Sequence, residues 1–195
     1  MHSKHTTFLV FSLLLIISLM VSCAHHRICP NWYYNPPRDP NYLFAAKTAT
    51  SADMQLAVDK AVQDARVDLA AQLEAHVMGL IKKFDEEVGA TNDRELLGLY
   101  SQTSKTVVDR TLVGARVRQQ EVFKEGELYR ACVLVELPLG AAKELLLDQV
   151  KSNEILYTRF RASQAFKELE KEVEKLRKYK EEQEQKYREF EKESE

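Results

Sequence analysis

The sequence has no excess of either charge sign. Its 28 Lys and Arg stand against 30 Asp and Glu, a formal net charge of −2. A nucleic-acid binder would carry a basic footprint, and none runs through this chain. There is also no Gly-rich phosphate loop, no metalloprotease helix and no nucleophile elbow. Histidine is scarce where chemistry would need it: four of the five precede residue 30, leaving His76 alone in the folded part. That residue sits near an apolar helical stripe, where a structural imidazole is the simpler reading. His25, His26 and Cys29 follow Cys23 at a spacing that matches no recognised metal site. With no assembled set of roles, the expectation is a non-enzyme with no catalytic residues, cofactor or metal.

Long hydrophobic runs are also missing, with one exception. Phe8 to Ser22, "FLVFSLLLIISLMVS", is almost free of polarity and follows a start whose only fixed positive charge is Lys4. The run is shorter than the about 20 residues that a spanning helix needs. It fits the apolar region of an export signal, residues 1–22. It ends in Met20-Val21-Ser22-Cys23, which resembles the lipobox of bacterial lipoproteins. The resemblance implies cleavage before Cys23 and acylation of that cysteine, with Met20 where Leu is usual. Several acyl chains hold a protein stably, at about 0.8 kcal/mol per buried methylene, whereas one holds it only reversibly. Ala24 in place of Asp points to the outer membrane under the sorting rule of such proteins. The alternative is an ordinary signal cut near Ser22–Ala24, which leaves a soluble periplasmic protein.

About 170 residues remain after the signal, enough for one domain and an appendage. Two further thiols, Cys29 and Cys132, form an even pair that permits a disulfide in an exported chain; two free thiols are the alternative. Residues 23–41 read as a lipidated tether rich in Pro, Asn and aromatics, with neither a helical nor a strand period. Trp32, Tyr33 and Tyr34 are too apolar to leave in solvent and are expected to fold back over one end of the core rather than form a ligand-stacking surface.

Residues 42–140 alternate between element types. "YLFAAKTAT" reads as a strand, and Ser51 or Asp53 as the cap of a helix reaching about Val88. Ala57, Ala61, Ala65 and Leu69 recur every four residues, widened by Val58, Val62, Leu73, Val77, Leu80 and Phe84. Alanines on the buried face allow close approach to a support. Gly89 suits the stop. A weaker helix follows, capped by Asn92 or Asp93, with Leu96, Leu97, Tyr100, Val107 and Val108 inward. Period-two alternation then sets in at Val113, Ala115 and Val117 and resumes at Tyr129, Ala131, Val133, Val135 and Leu137. Gly126 supplies the hairpin turn. Arg116, Arg118, Arg130 and Cys132 fall on the other face, which reads as solvated.

From Gly140 the sequence reads as one long C-terminal helix, residues 141–195. Coiled-coil heptads run over about 166–190, with a seam of Phe166, Leu169, Val173, Leu176, Lys180, Gln183, Tyr187 and Phe190. In a parallel pair this register sets Glu172 against Arg177 and Lys186 against Glu191. Lys180 and Gln183 weaken such a seam but specify register. Self-association is the expectation, with a solvated single helix as the alternative.

Three segments in order, "PNWYYNPP…YLFAAKTATSADMQLAVDKAVQDARVDLAAQLEAHV", "VVDRTLVGARV…ELYRACVLVELPL" and "FRASQAFKELEKEVEKL", resemble the LPP-twenty lipoprotein family. The likeness covers roughly residues 30–175. It implies an α+β fold, a small mostly antiparallel sheet with the Ala-rich helix and a second helix packed on one face. It implies attachment to the outer membrane and, in a flagellar branch, a place around the motor; it brings no catalytic residues. The expected protein is a lipid-anchored structural or assembly component of the bacterial envelope. Its partners are the membrane and, through the C-terminal helix, copies of itself or other envelope proteins. An adaptor, soluble in the periplasm or anchored, that binds another envelope protein or a ligand without self-assembly is the alternative.

Overall fold

The computed structural model describes residues 28–193. The chain divides into two units, Met1–Pro30 and Asn31–Glu195, and the second carries the fold. It opens with a single helical turn, α1 (Asn31–Tyr34), and continues with β1 (Tyr42–Ser51), α2 (Met54–Glu87) and α3 (Arg94–Thr111). After a 3-10 turn at Leu112–Gly114 come β2 (Arg116–Glu125), β3 (Leu128–Pro138), α4 (Leu139–Ser152), α5 (Glu154–Phe160) and α6 (Gln164–Glu193).

The sheet is antiparallel with β3 in the middle, ordered β1-β3-β2. Tyr42 pairs with Pro138 and Ser51 with Tyr129, a ten-residue ladder without a break. Gly126, at φ 62, turns β2 into β3, as its lack of a Cβ permits. The β2 ladder slips between Val117 and Gln119. The alternation expected to begin at Val113 instead starts after the 3-10 turn, which leaves Val113 exposed.

Helix α2 lies across the inner sheet face. Asp53 caps it by accepting from the Leu56 N–H at 2.7 Å. Ala57, Ala61, Ala65, Leu69, Leu73, Val77 and Ile81 are buried at strict four-residue steps. A four-residue step overshoots the 3.6-residue turn, so the stripe winds slowly around the helix. The stripe packs against β1 and β3, whose Ala45, Ala131, Val133 and Val135 share its core, and against helices α3 and α6. Leu80, expected inward, is only partly buried because Ile81 takes that place. Asp93 caps α3 as expected, and Tyr100 and Val107 are buried while Leu97 stays exposed.

The C-terminal region is not one helix from Gly140 on. Asn153 ends α4 and caps α5, its Oδ1 accepting from the Leu156 N–H at 3.0 Å. Ser163 then starts α6, its Oγ accepting from the Phe166 N–H at 3.1 Å. Both residues can replace a backbone partner with a side-chain oxygen, which makes them good helix starts and poor helix interiors. The long C-terminal helix is therefore α6, and its first half packs on α4 and α2. Phe84 meets Phe160 and Phe166 edge-on, with ring centroids 5.6 Å and 5.5 Å away, and closes that end of the core.

Candidate functional site: the anchor segment and the C-terminal seam

Cys23 and the lipobox-like residues before it lie outside the described residues. Cys29 is buried and disulfide-bonded. Cys132 on β3 is also disulfide-bonded and fully buried, its Sγ 3.8 Å from Thr48 Oγ1 on the neighbouring strand.

The outer sheet face differs from the solvated surface expected of it. Cys132, Leu134 and Glu136 along β3 are all buried. The central strand has neighbours on both sides, and α1 lies against β1 and β3. Trp32 Nε1 donates to Glu121 Oε1 of β2 at 3.4 Å, and Tyr33 and Tyr34 meet edge to face. The aromatics therefore fold back on the domain, over the sheet. Beyond them a groove of about 740 Å³ opens between the Pro36–Pro40 loop and β1, with Tyr42 and Phe44 on its wall.

At the far end of this face Glu136 is held by two arginines of β2. Arg116 Nε and Arg118 Nη1 donate to its two carboxylate oxygens, each at 2.7 Å. Burial would raise the Glu136 pKa, but the hydrogen bonds and charges of Arg118 and Arg116 leave it lowered. Arg118 also stands 5.6 Å above the Phe44 ring.

The heptad seam is divided by the fold. Phe166, Leu169 and Val173 are buried within the chain's own core, and Leu176 is partly covered at Gly140. Ion pairs flank this half: Lys143–Glu172 at 2.8 Å, Asp148–Arg177 at 2.8 Å and Glu144–Lys180 at 2.7 Å. Glu172 and Arg177, read from the sequence as partners between two chains, thus each pair with α4 of their own chain. Gln183, Tyr187 and Phe190 are exposed. The same stripe serves as core along one half and as surface along the other.

One buried polar cluster escaped the sequence reading. Asp85 Oδ1, at the end of α2, accepts from Tyr100 Oη at 2.7 Å and from Arg159 Nε at 2.6 Å. Asp85 Oδ2 accepts from the Thr91 N–H at 3.1 Å, and Arg159 also reaches the Gly89 carbonyl. Burial acts to raise the Asp85 pKa; the bonds from Tyr100, Thr91 and Arg159 outweigh it and hold the carboxyl below its ordinary value. Burial and the Asp85 carboxylate push Tyr100 up to about 12. The neighbouring Glu87 caps α6 across the chain, its Oε2 accepting from Ser163 Oγ at 2.7 Å and the Ala165 N–H at 2.9 Å. No spacing rule joins residues 85, 100 and 159, so only the folded chain could reveal the set. Its donors and acceptors already satisfy one another, which suits a fastening.

His76 is half-buried with Nε2 unpartnered among the described residues. Burial and the Lys143 charge lower its pKa, with Glu172 opposing them.

The fold is that of a small α+β domain, with α2 laid on one face of an antiparallel sheet and an N-terminal segment folded over the other. The family model described as LPP20 lipoprotein matches residues 30–137, more than half of the 195-residue chain, and the chain belongs to that family. Membership makes it a lipoprotein of the cell envelope. No curated protein matches the chain.

Proposed function

We propose that the protein is a non-enzymatic lipoprotein of the outer membrane, anchored by acyl chains on Cys23, that serves as a structural or assembly component of the envelope. The family match carries this reading. It joins the Met20–Cys23 motif, placed directly behind the apolar run. Among the described residues no helix is long and apolar enough to cross a membrane. Ala24 after the cysteine favours the outer membrane over retention in the inner one. In this reading Cys29 and Cys132, each disulfide-bonded, are partners of one another. The C-terminal helix supplies the surface for assembly, with copies of the chain or with other envelope proteins.

The test is the intact mass of mature protein extracted from outer-membrane fractions, beside a Cys23→Ser variant. A mass above that of residues 23–195 by a triacyl modification, lost in the variant, is expected. An unmodified mass in the soluble fraction would refute the anchor and leave the apolar run as an export signal only.

A further inference from the structure

Helix α6 outruns the domain that supports it. Up to Val173 its apolar stripe is buried; from Arg177 to Glu191 every residue is exposed. The stripe does not end where the support ends. Tyr187 and Phe190 continue its alternate three- and four-residue spacing and are 66% and 70% exposed, with Tyr179 beside the line at 61%. Past the ion pair of Lys180 with Glu144 the helix buries no described side chain against the domain, so it gains little from tertiary packing, the usual source of helical stability. Large aromatics at the next seam positions of such a segment call for a second helix.

We infer that residues 179–190 form a parallel helix pair with a second copy of this chain, while residues 166–176 stay packed in their own domain. The inference rests on the anchored reading above and names the partner for it. Three observations select a second copy. Along its first half the stripe already accepts a helix, α4, so its shape is that of a helix seat. Residues 177–193 balance acidic against basic side chains, which disfavours a strongly charged partner and removes net repulsion between copies. The seam also suits itself in register: Gln183 carries both donor and acceptor and can bond to its counterpart, while Tyr187 and Phe190 stack on theirs.

Orientation follows from the seam: Gln183, Tyr187 and Phe190 each face their own counterpart only if the two α6 helices run in parallel. Parallel register places Lys186 opposite the second copy's Glu191. The pair spans only about three turns and would be weak in dilute solution. Confinement to a membrane raises the effective concentration of one copy at another.

The test is oxidative cross-linking of the full-length lipoprotein in vesicles of phosphatidylethanolamine and phosphatidylglycerol. Gln183→Cys lies in the seam and Gln185→Cys on the opposite side of the same turn; both sites are exposed. The expected result is a covalent dimer for Gln183→Cys, none for Gln185→Cys, and loss of the dimer when Tyr187→Lys and Phe190→Lys are added. The aromatic positions are exposed, so those changes leave the domain folded, as an unchanged melting curve would verify. Equal cross-linking at 183 and 185, or none at 183, overturns the pairing. A bond that needs Gln183→Cys and Tyr187→Cys together reports antiparallel helices and also overturns it. Each variant is weighed intact beforehand, so a missing acyl mass, which refutes the anchor, is told apart from a missing cross-link.

Discussion

Arg159 Nε donates to Asp85 Oδ1 at 2.6 Å, joining residues 74 positions apart in the chain. The pair fastens α5 to the end of α2, beside the phenylalanines that close the core. Tyr100 shares the same carboxylate oxygen, so three helices meet at one atom.

Replacing Asp85 by Asn should therefore cost far more than a surface charge change. Removing one member of a buried pair leaves the other charge uncompensated, about 3 kcal/mol at the lower end of the range. For a domain of this size that lowers Tm by roughly 6–12 °C. Differential scanning calorimetry at neutral pH measures it. A shift under about 2 °C would show the cluster to be dispensable.

Acid should act on the same carboxyl. Its folded pKa is lowered, so its contribution is full above the unfolded value of about 3.9 and is lost as pH falls through the folded one. Urea midpoints measured from pH 6 down to pH 2 should drop more steeply in the native chain than in Asp85→Asn. Parallel curves would remove Asp85 from the acid response.

Glu136→Gln tests the second clamp. Its carboxylate bonds two arginines from a buried position, and the neutral amide weakens both charge-assisted bonds. A loss of about 1–3 kcal/mol in urea unfolding is expected, with the edge strand β2, which carries both arginines, losing amide protection first in hydrogen exchange.

Leu169→Ala separates the two halves of the seam. Leu169 is 4% exposed within its own domain, so truncation should destabilise the monomer by about 2–5 kcal/mol. Phe190→Ala, at an exposed position, should leave thermal stability unchanged. If both variants melt like the native chain, residue 169 is not core.

Non-reducing peptide mapping should return the Cys29 and Cys132 peptides as one linked species. Cys132→Ser should then lower stability by about 2–5 kcal/mol, the usual effect of losing a native disulfide. Separate peptides without reductant would refute the pairing.

Sequence alone determined what short-range physics settles. The helix caps, the four-residue alanine stripe and the turn at Gly126 each depend on a few neighbouring residues; the pattern offered Ser51 or Asp53 and Asn92 or Asp93 as caps, and the caps are Asp53 and Asp93. The apolar run behind Lys4 and the motif ending in Cys23 are local patterns of the same kind, legible without a fold. Tertiary structure alone decided what the seam at 166–190 packs against. An apolar stripe announces that it will be buried, not by which surface, since hydrophobic burial is non-directional. Breaks at Asn153 and Ser163 turned α6 back toward α4, and the nearer surface won for Phe166, Leu169 and Val173. The Asp85, Tyr100 and Arg159 cluster needed the same decision. Its members come from three helices, and their bonds exist only once those helices have packed.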